Sequence, residues 1–68
     1  MAIVKRYVMR VQMSDGNVRT FDQRIYDDSE QSMKVYDHAF DRTIGVLKQS
    51  DPEAEQVSRQ VVETETVL

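Results

Sequence analysis

From Ile3 to Met13 the side chains alternate between two sets, and this period of two, closed by an Asp-Gly pair, constrains the fold more than any other feature of the chain. One set is Ile3, Lys5, Tyr7, Met9, Val11 and Met13, which is mostly apolar. The other is Val4, Arg6, Val8, Arg10 and Gln12, which is mixed and basic. Such alternation is that of a strand with one face on a core and one face open. Ser14-Asp15-Gly16-Asn17 follows, where Asp-Gly supplies the positive backbone angles of a tight turn. Val18 to Tyr26 returns as the second strand, with Phe21 and Ile25 on one face, so residues 3–26 read as a β-hairpin.

Asp27-Asp28-Ser29 then places cap residues before a long amphipathic run. Asp28 with Gln31, or Asp27 with Glu30, has the spacing of a capping box, and the acidic cluster suits the positive end of a helix dipole. A helix over 29–49 gathers Met33, Tyr36, Ala39, Phe40, Thr43, Ile44, Val46 and Leu47 in one half of the wheel. Glu30, Lys34, Asp37, His38, Asp41, Gly45 and Lys48 fall in the solvent half. Ser50-Asp51-Pro52 ends the helix, because proline disfavours helical geometry at the residue before it.

The last segment admits two readings. Asp51, Pro52 and Glu53 have the pattern that starts a second helix. Against this, Val57, Val61, Val62, Thr64, Thr66 and Val67 give the end of the chain a β-branched content that favours a strand near 57–66 after a turn at 52–55. With the strand, the layout is ββαβ: an α+β domain spanning 1–68, a three-stranded antiparallel-type sheet with the helix across one face. The third strand then lies beside the first, in the order 2-1-3. Met9 and Met13, on the apolar face of the first strand, are core candidates.

Composition narrows what such a domain does. Sixty-eight residues lie near the lower limit for a self-sufficient core, and there is no cysteine to supply disulfides or thiolate metal ligands. Support from a second copy or a partner is therefore expected. No stretch has the length of a signal-peptide core or a membrane span, so a soluble, cytoplasmic chain without a membrane partner is expected. His38, the single histidine, has Asp37 and Asp41 nearby but no third ligand, which argues against a metal site. The serines occupy turn, cap or exposed positions and only one imidazole exists, so nucleophilic catalysis has no basis. With two glycines, Gly16 and Gly45, there is no phosphate-cradling loop. The reading is of a non-enzymatic protein without a cofactor.

Charge is divided along the chain. Residues 1–26 hold five cationic and two anionic side chains, a net +3, and residues 27–68 hold four and ten, a net −6. Such a dipolar surface steers a charged partner. Two candidate faces result. The acidic helical face comprises Glu30, Asp37, Asp41 and Gly45, where two like charges sit one turn apart and a glycine leaves room for an approaching backbone. The basic hairpin face comprises Arg6, Arg10, Arg24 and Tyr26, which suits phosphates and a stacked base. The C-terminal Glu65-Thr66-Val67-Leu68 also has the form a PDZ groove accepts by strand addition.

Met-Ala-Ile-Val-Lys opening a short strand, the turn at Ser14-Asp15-Gly16-Asn17, the capped helix and the closing strand together resemble small phage-encoded anti-defence proteins, of the Dmd-like antitoxin and anti-CRISPR inhibitor types. The resemblance is one of layout over residues 1–49 and carries no residue roles. It implies a small inhibitor or accessory factor that blocks a host protein or defence complex. From the charge pattern, the acidic helical face is its expected contact if the target normally grips nucleic acid through Lys and Arg. The alternatives are a nucleic-acid-binding regulator using the basic hairpin, and a homodimer joined through an outer strand or the open sheet face.

Overall fold

The structure is a computed structural model that describes residues 2–66. Strand β1 (Ala2–Gln12) and strand β2 (Val18–Ile25) form the hairpin. Helix α1 (Glu30–Ser50) follows, and strand β3 (Glu55–Thr66) closes the sheet. The strand order is β2-β1-β3, antiparallel throughout, as the ββαβ reading requires. The last segment is therefore a strand, and it starts at Glu55 rather than 57. Thr66 is its last residue; Val67 and Leu68 of the PDZ-type ending lie outside the described residues. No helix among the described residues is long and apolar enough to cross a membrane.

The hairpin turn uses one positive angle, not two. Gly16 has φ +88°, and Met13 N–H donates to the Asn17 carbonyl at 2.8 Å while Gly16 N–H donates to the Met13 carbonyl at 3.0 Å. This is the three-residue hairpin with glycine in the left-handed position. The Asp15 carboxylate accepts the Asn17 N–H at 2.9 Å and fixes the turn.

The helix cap also differs from both expected boxes. Ser29 is the N-cap and its hydroxyl accepts the Ser32 N–H at 3.3 Å. Asp27 stands behind it, accepting from the backbone and hydroxyl of Ser29 and from the Ser32 hydroxyl. At the other end Asp51 is the C-cap, and its carboxylate accepts both the N–H and the hydroxyl of Ser14 at 2.9 Å. One aspartate thus ties the end of the helix to the hairpin turn.

Between the layers, Met9 and Val11 are fully buried with Phe40 and Ala54, and Tyr7, Met13, Phe21, Ile44 and Leu47 pack around them. Ala54 enters this core because β3 carries a bulge. Arg10 faces Ser58 whereas Val11 faces Gln56, so Val57 is left without a partner. An extra residue in a strand reverses the parity of the side chains beyond it. Val57 consequently lies exposed and the chain before it turns inward.

Two expectations for the helix are corrected. Ala39 and Val46, in the apolar half of the wheel, are exposed, Val46 at 64%; Asp37, assigned to the solvent half, is half-buried. The helix is thus rotated, with Asp37 towards the sheet and its Ala39–Val46 flank standing free beside β2. The reason is Arg59 of β3, whose Nη1 reaches Asp37 at 3.1 Å and whose Nη2 reaches Asp41 at 3.0 Å. Its Nε and Nη2 also donate to Gln56 at 3.0 and 2.7 Å, and the guanidinium lies 5.5 Å from the Phe40 ring centre.

Arg59→Ala is expected to lower stability by about 1–2 kcal/mol in urea denaturation, the range of charge-assisted hydrogen bonds discounted for their half-exposed carboxylates. Arg59→Lys should recover only part, since an ammonium lacks the planar fork. Adding Asp37→Asn and Asp41→Asn to Arg59→Ala should cost less than the separate losses predict, because the groups act together.

The two glycines should respond oppositely to alanine. Gly16→Ala forces a side chain into a positive φ and is expected to lose about 1 kcal/mol. A Cβ on Gly45 meets nothing within 4 Å, so Gly45→Ala should gain up to about 1 kcal/mol, measured by the same denaturation.

Candidate binding face on the open side of the sheet

The alternation of β1 sends even-numbered side chains to the face away from α1, and the register extends that face across all three strands. Arg6 lies between Arg24 of β2 and Val62 of β3; Val8 lies between Asp22 and Gln60; Arg10 lies between Thr20 and Ser58. Val4 stands beside Thr64 at the near end, and Gln12 lies between Val18 and Glu55 at the far end. Val4, Val8 and Val62 are half-buried and stand around Arg6 in the middle of this face, with Val18 exposed at the edge.

Three arginines alternate with these valines: Arg6 among them, Arg24 beside it on β2 and Arg10 beyond Val8. Arg6 and Arg24 are directly opposite each other across two strands, an arrangement unfavourable for like charges. Asp22 relieves it in part by pairing with Arg6 at 2.9 Å. Arg24 instead lies 5.3 Å from the ring centre of Tyr26, which is 81% exposed just beyond the end of β2. Among the described residues Arg10 and Arg24 have no carboxylate partner. Arg6, Arg10, Arg24 and Tyr26, singled out in the sequence as one set, therefore sit together around one uncovered surface.

The acidic set is dispersed by comparison. Asp37 and Asp41 both turn to Arg59, and the Tyr7 hydroxyl donates to Asp37 at 2.7 Å. Glu30 lies exposed in the first turn, and Gly45 lies exposed near the other end of the helix. The like charges at Asp37 and Asp41 thus have an internal reason. Arg59 was not singled out in the sequence, though it is a lone cation two residues from Val57 and Val61.

The titration of this junction follows from its contacts. Hydrogen bonding from Tyr7, then from Arg59 with its charge, holds the Asp37 carboxyl below the usual range against a burial effect of opposite sign. Burial, then the bond to Asp37 and its charge, raises the Tyr7 phenol. For Arg59 burial works against the charge, but bonding to Asp41 and Asp37 outweighs it and the net shift is upward. Asp27, Asp28 and Asp51 are also lowered, chiefly by the Ser29 N–H, by Lys5 and by the Ser14 N–H respectively. Lys5, raised by its 2.9 Å pair with Asp28, fastens β1 to the segment before the helix.

Comparison with protein-family models, with curated proteins and with solved structures finds no match to this chain. Among the described residues no group of three or more His, Asp or Glu side chains is arranged to hold a metal ion. The remaining feature with a defined chemistry is the arginine-flanked valine face, suited to an anionic surface with apolar relief.

Thermal stability should change little between about pH 5 and 9 and fall on both sides. Lowered carboxylates contribute fully above their unfolded value near 4 and lose that contribution as pH drops through the folded value. The raised Tyr7 acts in the opposite sense, contributing below about pH 10 and losing it as the phenol ionises. Asp37→Asn should lower Tm at pH 7 and reduce the difference between pH 7 and pH 3, as followed by circular dichroism.

Proposed function

We propose that this chain is a non-enzymatic protein-binding module that seats the open face of its sheet on an acidic, partly apolar surface of a larger partner. The observation that carries this reading is the opposition of Arg6 and Arg24 beside Val62, with Val4 and Val8 in the adjoining rows. Like charges placed opposite each other oppose folding, and an anionic partner relieves them. The valines favour a protein over a polyanion, because apolar side chains within a patch contribute through burial. A small inhibitor or accessory factor of phage type, occupying a surface of a host complex in the cytoplasm, is the role that the layout supports.

A second reading has its own observation. Arg6, Arg10, Arg24 and the exposed Tyr26 lie on one face, the combination of cations and an aromatic ring that single-stranded nucleic acid uses. The net charge of −3 counts against it. The acidic helical face of Glu30, Asp37, Asp41 and Gly45 is the third surface, weakened as a contact because Arg59 already engages two of its carboxylates.

Affinity capture with and without nuclease, followed by titration of the captured partner, separates the readings. A protein partner that survives nuclease and loses about tenfold or more in affinity with Arg6→Glu or Arg24→Glu supports the sheet face; an ordinary surface change is worth only ~0.5 kcal/mol. Recovery of nucleic acid alone, with affinity falling about 20- to 40-fold between 50 and 200 mM salt for three phosphate contacts, moves the function to the second reading. Loss with Asp41→Lys but not Arg6→Glu moves the contact to the helix.

A further inference from the structure

The flank of α1 that the wheel counts as apolar, but the sheet leaves uncovered, stands next to a free strand edge. Phe21 of β2 with Ala39, Arg42, Thr43, Val46 and Leu47 of α1 line an open, mainly apolar groove. β2 is the outer strand on that side, with β1 as its single sheet neighbour. From this juxtaposition we infer that a second copy of the chain occupies the groove, pairing β2 with β2 about a two-fold axis normal to the sheet. The inference stands apart from the identity of the ligand of the open face.

The sequence of β2 is compatible with itself. An axis normal to the sheet keeps each side chain on its own face, so it passes through a residue and not between two. Centred on Phe21, the paired strands place Phe21 opposite Phe21, Thr20 opposite Asp22, Arg19 opposite Gln23 and Val18 opposite Arg24. No like charges meet, and an aromatic pair occupies the axis. Centring on Asp22 would set two carboxylates face to face.

The geometry accommodates both helices. In the joined sheet the two β1 strands are separated by three strand spacings, about 14 Å. Helices pack at about 8–10 Å, so two helices above these strands leave a gap that the Phe21 and Val46 side chains of both copies fill.

The other free edge is a poorer match. β3 carries the bulge at Val57 and the glutamates Glu55, Glu63 and Glu65. Bulges and charges are the usual means of keeping an edge unpaired. Val61, on the helix side of β3, is 49% exposed, and the helix meets that strand through the charged Arg59, Asp37 and Asp41 rather than through an apolar flank. Pairing through β2 also brings the two open faces to one side of a six-stranded sheet. Arg6, Arg10 and Arg24 are then repeated across the axis.

Light scattering coupled to size exclusion, on the full chain at about 100 µM, tests the inference. The wild type should run at twice 7.9 kDa. Val46→Asp, at an exposed position that leaves the core intact, should run at half the wild-type mass with unchanged circular dichroism. Val61→Lys on the β3 side should remain dimeric. A monomeric wild type, a dimer indifferent to Val46→Asp, or a dimer lost with Val61→Lys overturns it.

Discussion

Arg59 ties the last strand to the helix, two elements joined by no other ion pair among the described residues. It reaches from the last strand to two aspartates of the helix, to Gln56 on its own strand and to the buried Phe40 ring of the same helix. A guanidinium suits this place because its donors are fixed in a planar fork and its charge is weakly hydrated. The aspartates alone would repel each other, and Asp37 alone would leave a half-buried carboxylate with one neutral donor, Tyr7. With Arg59 the pair becomes an attachment point. It also rotates the helix, drawing Asp37 towards the sheet and turning Ala39 and Val46 away from it.

Polar contacts position the helix along its whole length. Lys5 and Asp28 hold the entry, Arg59 with Asp37 and Asp41 the middle, and Ser14 with Asp51 the exit. Such contacts define orientation more than they add stability, since most are exposed to water. Their arrangement alters the electrostatics expected from the sequence. Part of the acidic helix is neutralised by cations of the sheet, while the arginines of the open face keep one carboxylate, Asp22, in their midst. The charge division survives, and on the open face of the sheet the arginines outnumber the carboxylates.

The legible parts of the fold were those written in local periodicity. β1 could be read because a half-buried strand must alternate, and the helix because its apolar positions recur at its own period. The β-branched residues of β3 gave the strand and the order 2-1-3. The bulge was illegible, because a one-residue insertion leaves no mark in a run such as Glu55-Gln56-Val57-Ser58, where no alternation is established. Hence the strand began two residues early, and buried Ala54 was missed. Arg59 was missed because its partners lie 22 and 18 residues away. Two unpaired acids on a helix and a single cation between Val57 and Val61 were the available signals, and each is common alone. The basic set was easier, since one period of two links Arg6 to Arg10 and another places Arg24 opposite.

Where the fold leaves apolar residues uncovered bears directly on how such a small protein works. One helix covers one face of three twisted strands, so the opposite face is free of the demands of the core. Polar residues there would fold as well and dissolve better. Val4, Val8 and Val62 on that face, like Ala39 and Val46 on the helical flank, therefore lie outside what the core uses. Apolar side chains outside a core favour contacts with other molecules, and their charged surroundings select among them. On the open face those surroundings are three arginines, which favour an anionic partner. Beside β2 they are a strand edge whose charges do not oppose their own copies, which favours the same chain. The two surfaces meet only along β2, where Val18 and Arg24 face each other across the two-fold. Val4, Arg6, Val8, Arg10 and Val62 lie on the inner strands, so self-association leaves most of the open face available.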